Sequence, residues 1–209
     1  MYRFFTITLF VLSITLSAQD KIAEEILNKL SLTTKSYNNI KLDFNFIFEN
    51  KSQNIHDKRI GKLELQGDKF RLVIADQTII NDGKTQWIYL SDLNEVQIIK
   101  HELESEMMNL NKLFTIYENG YKYKYIGTKN KKGISLEIID LLPEKSNPYI
   151  KVTLEINAVK KQLTKISIFD KNGGTYTYEV TAFTVNSDNL SPFIFNLSDY
   201  PDVDIIDLR

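Results

Sequence analysis

The residue types that carry most enzyme chemistry are thinly spread in this chain. His56 and His101 are its two histidines, and each stands directly before an acid, Asp57 and Glu102. A metal site built from both would need two distant loops to converge, with no His-x-x-x-His on a helix to help. Both therefore read as solvated loop residues. Cysteine is absent, which removes disulfides, thiolate nucleophiles, Cys-ligated metals and lipid attachment through an N-terminal Cys. No Gly-x-Ser-x-Gly elbow and no glycine-rich phosphate loop occurs. The 27 acids offer many accidental carboxylate pairs, and no spacing singles one out. The expectation is a protein that is not an enzyme, with no cofactor and no metal.

Charge narrows the partners. A formal net charge of −1 speaks against nucleic acid, whose phosphates call for a basic excess. Tyr121, Tyr123 and Tyr125 alternate with Lys122 and Lys124, which could form a stacking-plus-charge platform for a single strand. With this charge balance the pattern reads instead as a two-faced strand, tyrosines in and lysines out.

What remains is a series of apolar surfaces that must be positioned. Met1-Tyr2-Arg3, the uncharged run Phe4 to Leu16 and then Ser17-Ala18-Gln19 describe a secretory signal peptide, with cleavage after Ala18. The run is short for a membrane anchor, which takes about 20 apolar residues. Residues 1–18 are thus read as a signal peptide and 19–209 as one exported domain. From Asp20, a candidate N-cap, Ile22, Ile26, Leu27 and Leu30 recur at helical spacing on one face. Strand spacing then takes over. Leu42, Phe44, Phe46 and Phe48 alternate with polar residues, followed by Leu63 and Leu65, by Phe70, Leu72 and Ile74, by Trp87 and Tyr89, and by Val96 and Ile98. Gly67-Asp68 and Asn81-Asp82-Gly83-Lys84 supply tight turns. A second helix is expected where Leu110, Leu113, Phe114 and Tyr117 share a face, capped by Asn109 and stopped at Gly120. Strands resume from Tyr121, and Phe193 to Phe195 and Val203 to Ile206 read as short closing strands.

These elements predict a mainly β (α+β) fold: a single curved antiparallel sheet of about 10–11 strands, forming an unclosed β-barrel with the N-terminal and central helices as a lid. Two helices hardly fill so large an apolar face. An incompletely filled half-barrel is a ligand cavity, with Phe44, Phe46, Phe70, Leu72, Trp87 and Tyr89 as its wall and Ile22, Ile26, Leu30, Leu113, Phe114 and Tyr117 as its lid. The bland alternative for the wall is an ordinary packed sheet core.

The chain also resembles a known family. The carrying residues are the amphipathic helix, the Phe-rich strand, Gly61-x-Leu63-x-Leu65, Lys69-Phe70-Arg71, Asp82-Gly83-Lys84-x-x-Trp87-x-Tyr89 before Glu95-Val96, and Val203 to Asp207. This pattern is similar to the LolA family of periplasmic lipoprotein carriers, including its Bacteroidetes-type members. The resemblance implies an unclosed barrel whose cavity receives the acyl chains of outer-membrane lipoproteins, taken from an inner-membrane donor complex and given to an outer-membrane acceptor. Gly67 stands where proteobacterial carriers have a functional arginine, so that site is not transferred.

Three functions follow for comparison. The first is a periplasmic carrier or chaperone, acting as a monomer on acylated lipoproteins or other lipids. The second is a periplasmic sensor or scaffold that uses the same fold to bind a partner protein. The third, a hydrolase or lipid-modifying enzyme with an unrecognised carboxylate site, has least support from the motifs.

Overall fold

The computed structural model describes residues 8–100, 116–118 and 120–209, without the side chains of residues 8–20 and 116. Helix α1 (Thr8–Lys35) is followed by β1 (Ile40–Asn50), β2 (Ile55–Gln66), β3 (Lys69–Ile74), β4 (Gln77–Asn81), β5 (Thr85–Leu90) and β6 (Glu95–Lys100). Beyond residue 115 a 3-10 turn (Ile116–Glu118) precedes β7 (Tyr121–Lys131), β8 (Ile134–Pro143), β9 (Tyr149–Asn157), β10 (Gln162–Asp170) and β11 (Gly174–Val185). A second 3-10 turn (Leu197–Asp199) and β12 (Asp204–Asp207) end the chain.

All twelve strands form one sheet in the order β12-β6-β5-β4-β3-β2-β1-β11-β10-β9-β8-β7. The sheet is curved and does not close, since β12 and β7 stand at opposite ends of that order. Every neighbouring pair is antiparallel except β12 with β6, which is parallel. The chain thus builds two meanders, β1–β6 and β7–β11, and joins them where β1 pairs β11 along its whole length. That β1–β11 seam carries a bulge after Asp43, which helps the sheet bend.

Tight turns set the registers. Gly67 at φ +57° and Asp68 join Gln66 to its partner Lys69. At the next marked turn Gly83 takes φ +95°, and Asp82 Oδ1 accepts the amides of Lys84 and Thr85 at 2.8 and 2.7 Å. The strand absent from the sequence reading is β4. Neither glycine nor proline marks the turn before it, and Ala75 adopts φ +47° in their place.

Two other expectations change. Asp20 is no N-cap, because α1 begins at Thr8 and runs through it. Residues 193–195 form no strand; they belong to a segment that crosses the back of the sheet. The central helix falls mostly outside the described residues, and of its expected face only Tyr117 can be placed. Among the described residues, no helix is long and apolar enough to cross a membrane.

The main core lies between α1 and one face of the sheet. Ala23, Leu27 and Leu30 are buried there with Leu42, Phe44, Leu63, Phe70, Leu72, Ile139, Leu141, Val152, Leu154 and Ile156. Helical spacing of the first three and strand alternation of the rest are what let the two surfaces meet.

Candidate functional site

The face that meets α1 is the inner face of the curved sheet, and it is unevenly filled. α1 lies against β7 and, more sparsely, β10. Its buried stripe is Ala23, Leu27 and Leu30, with Ile26 packed alongside. Ile22, expected in the same stripe, is 43% exposed. The helix stripe is therefore rotated by part of a turn from the predicted one, with Ala23 in contact. A small residue gives little apolar signal in a sequence, yet it allows close approach.

The C-terminal half of α1 is tied to the 3-10 turn. Glu118 pairs with Lys35 at 2.7 Å and accepts from Ser31 Oγ at 2.7 Å. These two contacts hold the Glu118 carboxyl below its ordinary range. Tyr123 donates its hydroxyl to the Tyr117 carbonyl at 2.6 Å. Tyr117 is buried in the main core, and burial pushes its phenol well up. Leu113 and Phe114 lie outside the described residues.

Across the sheet, residues that pair between strands share a face. Phe44 pairs with Gly61, Leu42 with Leu63, Leu63 with Leu72, and Leu65 with Phe70. Phe44, Phe70 and Leu72 are thus neighbours on the inner face, and all three are buried. The Phe44 ring lies in the space a side chain at position 61 would need. Here the wall is packed core.

Further along β1 the packing loosens. Phe46 and Phe48 continue its inner face, and their partners on β11 are Tyr178 and Tyr176. The rings form a ladder: Phe46 to Tyr178 at 5.2 Å, Phe46 to Tyr176 at 6.5 Å and Phe48 to Tyr176 at 4.8 Å between centroids. All four are only partly buried. Burial still raises the Tyr178 phenol to about 12. On the other side of β1, Phe46 and Phe48 pair with Arg59 and Asp57, so an ion pair stands on the inner face beside the ladder.

Trp87 and Tyr89 are elsewhere. Phe70 pairs with Asn81, and Asn81 with Gln86, whereas Trp87 pairs with Ile80 and Tyr89 with Thr78. Both aromatics therefore face the back of the sheet. They pack with Ile80, Val96, Phe195, Tyr200 and Val203 in a second, smaller core. The expectation that all six wall residues share one face is corrected: four are on the inner face and two behind it. The consecutive pair Ile79-Ile80 is the reason the parity was hidden, because it offers an apolar side chain to each face.

The back is covered by the chain after β11. Asn39 exchanges two hydrogen bonds with Ser187, at 2.8 and 3.0 Å. Glu64 takes the Ser191 amide at 2.9 Å and Lys41 at 2.7 Å, and Arg71 donates to the Pro192 carbonyl at 3.2 Å. Phe195 and Tyr200 stack at 4.3 Å, and both rings approach Tyr89. Asn94 donates to the Asp202 carbonyl at 2.9 Å, just before β12 joins β6. The strap thus crosses β1 to β6 on the side away from α1.

The remaining candidates are the two histidines and the Tyr-Lys alternation. His56 is exposed and its Nδ1 lies 3.2 Å from Glu49; His101 is outside the described residues. Tyr121, Tyr123 and Tyr125 pack on the core while Lys122 and Lys124 are exposed, the two-faced strand the alternation predicts. Residues missed from sequence are Tyr176, Tyr178, Asp57 and Arg59. The alternation of Tyr176, Tyr178 and Val180 was a usable signal for the first two; the ion pair gave none.

No curated protein matches the sequence. Among solved structures, an uncharacterized conserved protein from Thermus thermophilus superposes with a TM-score of 0.58 at 12% identity, covering 88% of this chain and 98% of its own. A LolA superfamily protein from Nitrosomonas europaea gives 0.42 at 12% identity over 83% of this chain and 97% of its own. The lipoprotein LppX of Mycobacterium tuberculosis gives 0.49 at 13% identity over 80% and 99%. A family model described as outer membrane lipoprotein carrier protein LolA matches residues 55–171, from β2 through β10 and more than half of the sequence. With its open sheet and helix-covered inner face, the chain belongs to the LolA family of outer membrane lipoprotein carrier proteins.

Proposed function

We propose that this protein is a periplasmic carrier or chaperone that shelters the acyl chains of lipoproteins against the inner face of its open sheet. The observation that carries the reading is the change in packing along β1. Ile40, Leu42 and Phe44 are buried, whereas Phe46 and Phe48, on the same face, are only partly buried. Large aromatics left half-covered on an inward face are surface for an apolar ligand. Family membership supports the same reading.

Physical chemistry asks little else of such a site. Each buried CH₂ is worth about 0.8 kcal/mol, so a chain of about sixteen carbons gains on the order of 10 kcal/mol over water. Release then requires an acceptor of comparable apolar character or a membrane, and a cover that competes with the ligand. In this reading Phe44, Phe70 and Leu72 are the floor, Phe46 is the ligand-facing wall, and Ile26, Leu30 and Tyr117 belong to the cover. Trp87 and Tyr89, turned to the back, stabilise the wall from behind. Residues 1–18 act as a signal peptide; Ala23, Leu27 and Leu30, which bury α1, all lie after the cleavage point. The mature protein works as a monomer between an inner-membrane donor and an outer-membrane acceptor, without catalysis.

The test pairs stability with binding. Phe46→Ala is expected to weaken binding of an acylated peptide at least tenfold while lowering folding stability by less than the roughly 3–5 kcal/mol of a packed phenylalanine. Phe44→Ala should show that full loss. Urea midpoints and acyl-peptide affinities are measured for both. Equal destabilisation by the two variants, with no acyl binding by the parent protein, would reject the carrier in favour of a filled sheet.

A further inference from the structure

The ion pair beside the aromatic ladder points to a second element of recognition. Gly61, Leu63 and Leu65 of β2 are buried on the inner face, so Arg59 and Asp57, two and four residues before Gly61, fall on that face as well. Arg59 pairs with Phe46 and Asp57 with Phe48 across the strands, which sets a guanidinium and a carboxylate next to the half-covered rings. Arg59 Nε donates to Asp57 Oδ2 at 2.8 Å. The contact is made through Nε. The Arg59 side chain is 52% exposed and that of Asp57 39% exposed, so a solvated charged group borders an apolar surface.

We propose that Arg59 reads an anionic head, a carboxylate or a phosphate, on a ligand whose acyl chain lies along Phe46, Phe48, Tyr176 and Tyr178. This inference rests on the acyl-chain reading above and adds to it a preference for one class of head group. A guanidinium donates through a planar fork that matches carboxylate and phosphate oxygens, and such bonds are stronger than neutral ones. Asp57 holds the fork by its Nε edge, which lowers the cost of ordering a flexible side chain when the ligand arrives. The carboxylate also competes with the ligand for the same charge, so its removal should favour an anion. Lys58 and Ile60, on the opposite parity, face the back of β2 and take no part.

Three probes with the same sixteen-carbon chain separate the possibilities: palmitate, palmitoyl lysophosphatidic acid and monopalmitoylglycerol. Affinities are measured by displacement of a fluorescent fatty acid below the critical micelle concentrations, for the parent protein, Arg59→Gln and Asp57→Asn. The anionic probes should bind the parent about tenfold or more tightly than the neutral one, as a charge-assisted contact requires. Whichever of the two anions binds tighter names the head, carboxylate or phosphate. Arg59→Gln should abolish the preference and leave monopalmitoylglycerol unchanged, Asp57→Asn should increase it, and added salt should reduce it. Equal binding of all three probes, unmoved by Arg59→Gln, would overturn the head-group inference while leaving acyl binding intact. Binding of none of them by folded protein would remove the acyl-chain reading and this inference with it. An anionic preference that persists in Arg59→Gln would overturn the assignment to Arg59.

Discussion

At the scale of single residues, two positions show how tightly the inner and outer faces are specified. Gly61 is needed because the Phe44 ring occupies the place of its missing side chain. Gly61→Ala must push that ring into the core, and an overpacked core typically costs about 1–3 kcal/mol. A lower urea midpoint with an unchanged denaturant slope is the expected result. Glu64, on the opposite face, is buried; that burial opposes its charge, but Lys41 and the Ser191 amide outweigh it and hold the carboxyl below its ordinary value. A carboxyl depressed on folding contributes stability that is complete above its unfolded value, about 4.3, and is lost as pH falls through the folded value. Glu64→Gln should therefore cost roughly 1–3 kcal/mol near pH 7, and the gap to the parent should shrink once pH drops below about 4. A gap that stays constant from pH 7 to pH 3 would show that the ion pair contributes nothing.

At the scale of elements, the strap after β11 is the device that holds the β1–β6 half together. Within this half β3, β5 and β6 have 6 residues each and β4 has 5, and the back face would otherwise expose Ile80, Trp87, Tyr89 and Val96. Phe195 is 5% exposed and closes that surface. Phe195→Ala is expected to cost about 3–4 kcal/mol by the usual cavity effect. Because β12 is tethered through the same segment, amide exchange should accelerate first in β12 and β6, before β1 and β11 respond. Uniform acceleration across the sheet would mean the strap is part of one cooperative unit with the main core.

At the scale of the whole molecule, the strap covers the back of β1 to β6, and α1 partly covers the opposite side of the sheet. Under the carrier reading any opening falls to the side covered by α1, which is held by a modest stripe, Ala23, Leu27 and Leu30, and by the Glu118 contacts. Under the carrier reading, exchange in α1 should be faster than in β1, β11 and β10, and should change on addition of an acylated ligand. Equal, ligand-independent protection of helix and central strands would count against a cover that opens.

How much of this was legible in the sequence depends on whether local pattern sufficed. The alternation of Leu42 to Phe48 and of Tyr121 to Tyr125, and the Gly67 and Gly83 turns, determined strands, faces and hairpins, because a period of two and a positive φ are local demands. The absence of cysteine likewise removed disulfide and thiolate chemistry from the sequence alone. The unmarked turn at Ala75 concealed β4, and with Ile79-Ile80 facing both ways the parity of Trp87 and Tyr89 could not be carried forward from Phe70. Only tertiary structure decided that these two look backward, since their partners Phe195 and Tyr200 lie more than a hundred residues away in the chain. The same holds for Arg59 and Asp57. An Arg two residues after an Asp is ordinary in a solvated strand, and it acquires meaning from pairing with Phe46 and Phe48 opposite Tyr178 and Tyr176. Local sequence sets which face a side chain can take, while the β1–β11 seam, a contact between the two halves of the chain, sets what it finds there.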